Sequence, residues 1–262
     1  MKILLIHNRY VSSNVGGEDV VYDNELKALT EQLGSDNVFS YQVSNDNANK
    51  FAMLFNIFFS LKHYFSVKNL ILKNNINIVH IHNFYPLLSC SVFFAAKHAK
   101  AKVVHTLHNY RWWCISGILY RSSYGNCEFC VKKMFPLKGI FLKCYRNSLI
   151  QSLITQLVFS SYKLFHVFEK IDLLFVLTEF QKNKLIEFGV PQEKIALKPN
   201  FISTKPFMSS EKNNYIYVGR LEEQKGVHLL LDAWLGLDES FVLYLIGDDS
   251  QNSELVKKYQ RL

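Results

Sequence analysis

Short apolar runs alternate with helical patterns from the amino terminus onward. Runs rich in β-branched and other apolar residues predict strands at Lys2–His7, Asn37–Val43, Asn77–His82, Lys102–His108, Asp172–Thr178 and Lys194–Pro199. Apolar positions that recur every three or four residues predict helices at Glu18–Leu33, Phe51–Leu72, Leu87–Lys100, Ser148–Lys170 and Glu179–Phe188. This alternation predicts an α/β fold built on a doubly wound parallel sheet.

A polar segment from Asn200 to Asn214 has no hydrophobic periodicity and contains Pro206, so we predict a linker at residues 200–214. It would separate a first domain, residues 1–199, from a smaller unit at 215–262. The smaller unit has predicted strands at Tyr215–Val218 and Phe241–Ile246 and predicted helices at Gly226–Leu235 and from about Asn252. Two strands are fewer than a complete doubly wound domain has, so we predict that this second domain is incomplete.

The composition is that of a folded protein, because 49% of the 262 residues are hydrophobic and only 20% are charged. A formal charge of +8 favours anionic partners such as sugar nucleotides, lipid phosphates or an anionic membrane. Nucleic acid is not expected as a partner, since no basic-aromatic stripe or known reader motif accompanies the charge. The start "MKILLIHN" turns polar too soon for a signal peptide, which predicts a cytoplasmic protein.

The longest apolar stretch, Phe51–Leu72, is interrupted by Asn56, Lys62, His63 and Lys68, so it falls short of a membrane span. Two interpretations of it stay open. It is either a helix of the core or an amphipathic helix on an anionic membrane surface, where aromatic side chains beside lysines are favourable. The second would make the protein peripheral on the inner face of the membrane.

The loop after the first strand ends in Gly16-Gly17 and leads into a helix. Ligands of open parallel sheets bind at this carboxyl edge, where a glycine turn lets backbone N–H groups approach an anion or a sugar hydroxyl. A plain tight turn explains the pair equally well. The absence of a third glycine argues against NAD.

Four of the nine histidines, His80, His82, His105 and His108, lie near the ends of two predicted parallel strands. Histidine at that edge can hydrogen-bond a substrate hydroxyl or move a proton. Each of them is also explained by a structural role in the core. We prefer His82 and His108 as functional residues, because they are nearest to the strand ends.

Four cysteines, Cys114, Cys127, Cys130 and Cys144, lie in a long insertion at about residues 110–146. Their C-x₁₂-C-x₂-C-x₁₃-C spacing is compatible with a structural zinc site, but a second CxxC pair is missing. Reduced thiols are the other interpretation, and disulfides are not expected in the cytoplasm.

The stretch "YVGRLEEQKGVHLLLDAW", Tyr217–Trp234, joins a strand to a helix through a turn with two cations. Gly219 allows the tight turn, Arg220 offers a planar fork to phosphate, and Lys225 adds a charge just before the helix. These features predict a diphosphate site, against the simpler interpretation of solvated surface charges. The "GDD" at Gly247–Asp249 is a weaker signal for a bound cation, so we predict no metal.

Together these motifs resemble glycosyltransferase family 4, whose members use sugar nucleotides and have two facing Rossmann-like domains, the GT-B fold. The resemblance rests on Gly16-Gly17, "INIVHIHNFYP", "VVHTLHNYRWWC", "LTEFQKNKLIEFGVPQEKIALKPNFI" and "YIYVGRLEEQKGVHLLLDAW". It implies that Arg220 and Lys225 bind the donor diphosphate, that Gly16 and Gly17 line the cleft, and that His108 acts at the reacting centre. His82 and Asn109, in the histidine motifs, are expected to bind substrate. No cofactor is implied.

The same resemblance implies transfer with retention from a nucleoside-diphosphate sugar to a glycan or polyprenyl-linked acceptor, in cell-surface polysaccharide synthesis. Members of the family also carry two glutamates, eight positions apart, farther along the second domain, and this sequence does not reach them. We therefore expect a family member shown incomplete. The alternative is an inactive remnant that binds at most an acceptor or a partner.

Overall fold

The computed structural model describes residues 1–10, 16–47, 50–202, 214–221, 225–238 and 240–247. It divides into two compact units: unit 1 is Met1–Ile118 with Phe129–Ser203, and unit 2 is Leu119–Glu128 with Thr204–Leu262. The predicted boundaries, 1–199, 200–214 and 215–262, stay a prediction, and most of the predicted linker lies outside the described residues.

The strands are β1 Ile3–Arg9, β2 Val38–Ser44, β3 Ile78–Asn83, β4 Lys102–Thr106, β5 Tyr120–Arg121, β6 Gly125–Asn126, β7 Leu173–Val176, β8 Ile195–Leu197, β9 Asn214–Val218 and β10 Val242–Ile246. The helices are α1 Gly17–Leu33, α2 Lys50–Asn56, α3 Leu61–Asn74, α4 Ser91–His98, α5 Leu137–Phe141, α6 Leu149–Leu164, α7 Glu179–Glu187 and α8 Val227–Trp234.

Unit 1 is built on a six-stranded sheet in the order β2-β1-β3-β4-β7-β8, and every strand pair in it is parallel. Helices connect successive strands, as parallel pairing requires. Apolar side chains of the central strands are buried, among them Leu4, Leu5 and Ile6 of β1. The predicted α/β class and parallel sheet are confirmed. All six predicted strands are present, with ends shifted by one or two residues.

An aromatic cluster fills the space beside β3 and β4. Its centre is the buried Trp112, whose ring lies 5.3 Å from Phe84, 6.0 Å from Phe93, 6.0 Å from Phe159 and 5.3 Å from Phe168, between ring centres. Aromatic pairs at such distances add stability beyond the area that they bury. Trp112 therefore anchors the loop after β4 to the core.

The predicted single helix at Phe51–Leu72 is wrong, because the structure has two helices there, α2 and α3. Ser60 lies between them, fully buried, and its side chain accepts a hydrogen bond from the His63 N–H at the start of α3. The Ser60 N–H donates to Ser89 Oγ at 2.9 Å. A backbone N–H bonded to a distant side chain cannot continue a helix, so the apolar pattern runs across a break.

Two more predicted helices were too long. The prediction at Leu87–Lys100 corresponds to α4, Ser91–His98, and the prediction at Ser148–Lys170 corresponds to α6, Leu149–Leu164. Within the described residues, no helix combines the length and the apolar character that a membrane crossing needs.

Unit 2 contains the parallel pair β9–β10, helix α8 and the short hairpin β5–β6. Val227 and Leu231 of α8 are buried against Tyr217, Leu221 and Leu243. The predicted strands and the first predicted helix of this unit are present, whereas the helix predicted from about Asn252 lies outside the described residues.

Candidate functional site

The glycine pair begins α1 at the carboxyl edge of the sheet in unit 1. Gly16 is the N-cap and Gly17 the first residue of the helix, and the Gly16 N–H donates to Asp19 Oδ2 at 2.9 Å. A Cβ atom on Gly16 would lie 3.0 Å from the Tyr10 ring, so this position has no room for a side chain unless Tyr10 moves. Asp19 also hydrogen-bonds Nε2 of the buried His7 at 2.7 Å.

The structure brings His82 and His108 together. His82 Nδ1 lies 3.1 Å from His108 Nε2, and the rings stack with their centres 5.3 Å apart. Burial lowers the pKa of His108 to about 3. Burial, helped by the charges of His80 and His108, also holds the pKa of His82 well below its ordinary value. Both imidazoles are therefore neutral at physiological pH.

The surroundings of His82 decide which ring nitrogen carries its proton. His82 Nε2 lies 3.5 Å from Glu25 Oε2, too poorly aligned for a hydrogen bond but facing a carboxylate. A proton on Nε2 is attracted by that carboxylate, so Nδ1 is the acceptor and His108 Nε2 donates to it. His108 Nδ1 is then left with a lone pair, and it can accept a hydrogen bond from a substrate hydroxyl.

His80 and His105 lie within β3 and β4, and their hydrogen bonds to other residues of the fold support the structural interpretation for them. His105 Nδ1 donates to the Ile81 carbonyl at 2.8 Å, and the Trp112 indole N–H donates to His105 Nε2 at 3.3 Å. Because an indole can only donate, His105 must be neutral, and burial lowers its pKa to about 4. Nε2 of His80 forms a hydrogen bond with Thr106 Oγ1 at 2.8 Å.

Glu25 connects the histidines to a cation. The carboxylate of this buried residue lies 3.0 Å from His80 Nδ1 and 2.5 Å from Lys198 Nζ. Burial alone would raise the pKa of Glu25, but its hydrogen bonds to His80 and Lys198, together with their charges, outweigh burial and lower it. Glu25 and Lys198 were not predicted as site residues.

Glu25, His80 and His82 could in principle ligate a metal ion, since each offers a ligand atom and these atoms lie within 4.8 Å of one another. The ammonium group of Lys198 already neutralises the carboxylate of Glu25, however. The arrangement is therefore explained as a buried ion-pair network. None of the four cysteines belongs to such a group within the described residues, and none forms a disulfide. The structure thus gives the zinc interpretation no support.

We expect Glu25→Gln to lower the free energy of unfolding by about 2 kcal/mol, because the amide leaves Lys198 without its counter-charge and disturbs His80. Urea unfolding followed by circular dichroism measures the change. The control is Glu31→Gln on the same helix, where the exposed ion pair with Lys27 at 4.0 Å predicts a change below about 0.5 kcal/mol. Equal effects of the two substitutions would contradict the network.

Asn109 lies in the loop after β4 and contacts helix α1. Its amide Nδ2 donates to Glu18 Oε1 at 3.3 Å, and the Tyr10 hydroxyl donates to Glu18 Oε2 at 3.3 Å. Burial raises the pKa of Glu18, although these hydrogen bonds and the charge of Arg111 oppose it. Glu18 was not predicted as a site residue.

A cleft in unit 1 collects these groups. Its lining includes side chains of His82, His105, His108, Asn109, Arg111 and Trp112. It combines neutral imidazoles, an amide and one guanidinium group, which suits hydrogen bonding to a polyhydroxylated molecule.

Arg220 and Lys225 lie in unit 2, on either side of the turn between β9 and α8, and both are exposed. Lys225 directly precedes Gly226, the N-cap of α8, whose φ of 72° is left-handed and favours glycine. The Gly219 N–H donates to the Ile246 carbonyl at 2.9 Å. A Cβ atom on Gly247 would lie 1.8 Å from the Gly219 carbonyl oxygen, so the two strand ends can meet only with glycine there.

Several solved structures share this fold. HepE from Anabaena in complex with UDP matches with a TM-score of 0.53 and 15% identity, covering 100% of this chain and 65% of that one. The apo lipopolysaccharide outer core galactosyltransferase WaaB matches with a TM-score of 0.54 and 16% identity, and the match covers 100% of this chain and 64% of that one. A glycosyltransferase from Rickettsia africae matches with a TM-score of 0.51 and 17% identity, and the match covers 99% of this chain and 64% of that one. The chain thus spans just under two thirds of their length, and the shared fold is GT-B.

No curated protein matches the sequence. The model of the family described as Glycosyltransferase Family 4 matches residues 33–205, which is more than half of the chain. This match takes in β3, which bears His82, and β4 with the loop after it, which bears His108. The chain belongs to glycosyltransferase family 4.

Proposed function

We propose that this protein transfers a sugar from a nucleoside-diphosphate sugar to a glycan or polyprenyl-linked acceptor, with retention at the anomeric carbon. The observation that carries the proposal is the connection between β9 and α8: Arg220 follows β9, Lys225 directly precedes the N-cap of α8, and both are exposed. Two cations and a helix dipole suit a diphosphate, and they would stabilise the charge that develops on the departing nucleoside diphosphate. The UDP in the HepE structure supports a donor of this class.

His108 would orient the reacting hydroxyl or the transferred sugar. Its pKa of about 3 keeps it neutral, so it would act through the lone pair on Nδ1 and not as a cation. His82 and Asn109 would hold the substrate from the same cleft, and Gly16 and Gly17 would border it at the start of α1. This assignment needs neither a metal nor another cofactor.

An acceptor at a membrane surface is supported by the exposed apolar side chains of α2 and α3. Phe55 is 70% exposed, and Leu61 and Phe65 are more than half exposed. Lys62 and Lys68 flank Phe65 in sequence. Aromatic side chains with nearby lysines favour the interface of an anionic membrane, so we propose peripheral binding at its inner face and a role in cell-surface polysaccharide synthesis.

Calorimetric titration of the protein with UDP tests the donor site. We expect binding that weakens by about 100-fold in the Arg220→Ala/Lys225→Ala variant, because each charge-assisted contact to phosphate contributes about 1.5–3 kcal/mol. The control is Lys27→Ala/Lys102→Ala, which removes two charges that are largely exposed. If UDP does not bind at millimolar concentration, or if the control weakens it equally, this protein does not use the donor as proposed.

A further inference from the structure

Arg111 lines the cleft and lies over two tyrosine rings. Its guanidinium carbon lies 5.2 Å from the centre of the Tyr85 ring and 5.3 Å from that of Tyr145. Nη1 is buried and has no hydrogen-bond partner, and among the described residues no ion pair reaches Arg111. A buried guanidinium nitrogen without an acceptor is costly, and a ligand in the cleft that Arg111 lines can supply one.

The loop that carries Arg111 fixes it in place before any ligand arrives. The Arg111 N–H donates to Asn109 Oδ1 at 3.1 Å, and the Tyr110 N–H donates to the Gly117 carbonyl at 2.7 Å. Gly117 has a left-handed φ of 82°, and a Cβ atom there would lie 3.7 Å from Arg111 Nη2. A Cβ atom would be in ordinary contact there, so the left-handed φ and not a lack of space explains the glycine. The side chain is thus preorganised, which favours binding.

Charge near Arg111 favours a phosphate over a single carboxylate. The guanidinium carbon of Arg146 lies 5.5 Å from the centre of the same Tyr145 ring, so two permanent cations flank one ring. Glu18 lies near enough for the charge of Arg111 to affect its pKa, but its carboxyl oxygens hydrogen-bond Asn109 and Tyr10 instead. A guanidinium fork also matches the geometry of phosphate oxygens.

We propose that Arg111, supported by Arg146, binds a phosphate group of the acceptor and thereby places the acceptor's hydroxyl next to His108 in the same cleft. This inference rests on the proposed glycosyl transfer for its biological meaning. It assigns the acceptor to the phosphate-bearing class, which includes diphosphate-linked lipids, and it gives Arg111 a role separate from that of the donor cations, Arg220 and Lys225.

Titration of the protein with inorganic pyrophosphate in the presence of saturating UDP tests the site. We expect pyrophosphate to bind under these conditions, and to bind about tenfold or more weakly in Arg111→Gln and in Arg111→Lys, which keeps the charge but loses the fork. UDP affinity should stay the same in both variants. Circular dichroism at 222 nm shows whether each variant is folded.

Lys102→Gln is the matched control, because Lys102 is exposed at the opposite end of β4 and its loss removes the same charge. Pyrophosphate affinity that is unchanged in both Arg111 variants, or that falls equally in the control, overturns the inference. Loss of pyrophosphate binding in Arg220→Ala/Lys225→Ala with Arg111 intact overturns it too. Failure of UDP binding while the Arg111 dependence persists would refute the proposed donor and leave the phosphate site standing.

Discussion

Lowering the pH from 7 to 5 is expected to reduce the free energy of unfolding by about 4 kcal/mol through His105 and His108 alone. Both are neutral in the fold, with pKa values of about 4 and about 3, whereas the unfolded chain takes up protons below the ordinary value of 6.5. The stability that they contribute is fully present above pH 6.5 and is lost as the pH falls toward the folded-state values. His7 and His82, whose pKa values burial also lowers, add to the loss.

Carboxyl groups change the size of this effect without reversing it. Glu25, whose pKa is lowered, adds a further loss of stability below about pH 4.5. Glu18, whose pKa is raised, has the opposite sign, but it is one group against four histidines. Urea unfolding at pH 7, 6 and 5 measures the slope. A free energy of unfolding that stays constant over this range would contradict the neutral histidines.

Two variants separate the buried histidines from the others. The acid slope is the change of the free energy of unfolding with pH between pH 7 and 5, and it reports how many protons the chain takes up on unfolding. His105→Gln should reduce that uptake by about one proton, because it removes one group that stays neutral in the fold and takes up a proton in the unfolded chain. His166→Gln is the control, since the His166 side chain is 68% exposed and the substitution removes no buried imidazole. A shallower slope in both variants would mean that burial is not the cause.

Trp112→Ala is expected to lower the free energy of unfolding by about 4 kcal/mol, the usual cost of truncating a large buried aromatic residue. The substitution removes the ring at the centre of the aromatic cluster and leaves His105 Nε2 without its donor. Thermal and urea unfolding, followed by far-ultraviolet circular dichroism, measure the loss.

Trp113→Ala is the neighbouring control. Trp113 is partly exposed and, within the described part of the chain, its aromatic ring contacts are with Phe168 and Phe188, so we expect about half of the effect. Trp112→Phe keeps most of the apolar contact but not the N–H donor. It should therefore lower the free energy of unfolding by less than Trp112→Ala does. It should also change the acid slope, because His105 Nε2 is freed to take up a proton. Equal losses at Trp112 and Trp113 would contradict the central position of Trp112.

The strands of unit 1 were predictable because each is a short run rich in β-branched and other apolar residues. The division at Ser60 was not predictable in this way. Its cause is a hydrogen bond from Ser60 to Ser89, 29 residues away, and the local apolar pattern carries no trace of it. Local periodicity records which face is buried, whereas a break of this kind is fixed by tertiary contacts.

The site was predictable where its residues lie at strand ends, as His82 and His108 do. Its partners come from distant parts of the chain, since Glu25 and Lys198 are 173 positions apart. One signal was present. Glu25 follows Val21 and Tyr22 by four and three positions, which places a charge on the buried face of α1 and indicates a buried partner. Arg111 gave no comparable signal, because its lack of a partner is a property of the folded cleft.

The glycine contact in unit 2 has a consequence for motion. The Gly219 N–H bonds the Ile246 carbonyl, and the Gly219 carbonyl lies so close to Gly247 that no side chain fits there. The end of β9 is thereby locked to the end of β10, backbone against backbone. A displacement of the backbone at Gly219, directly before Arg220, therefore has to carry the end of β10 with it.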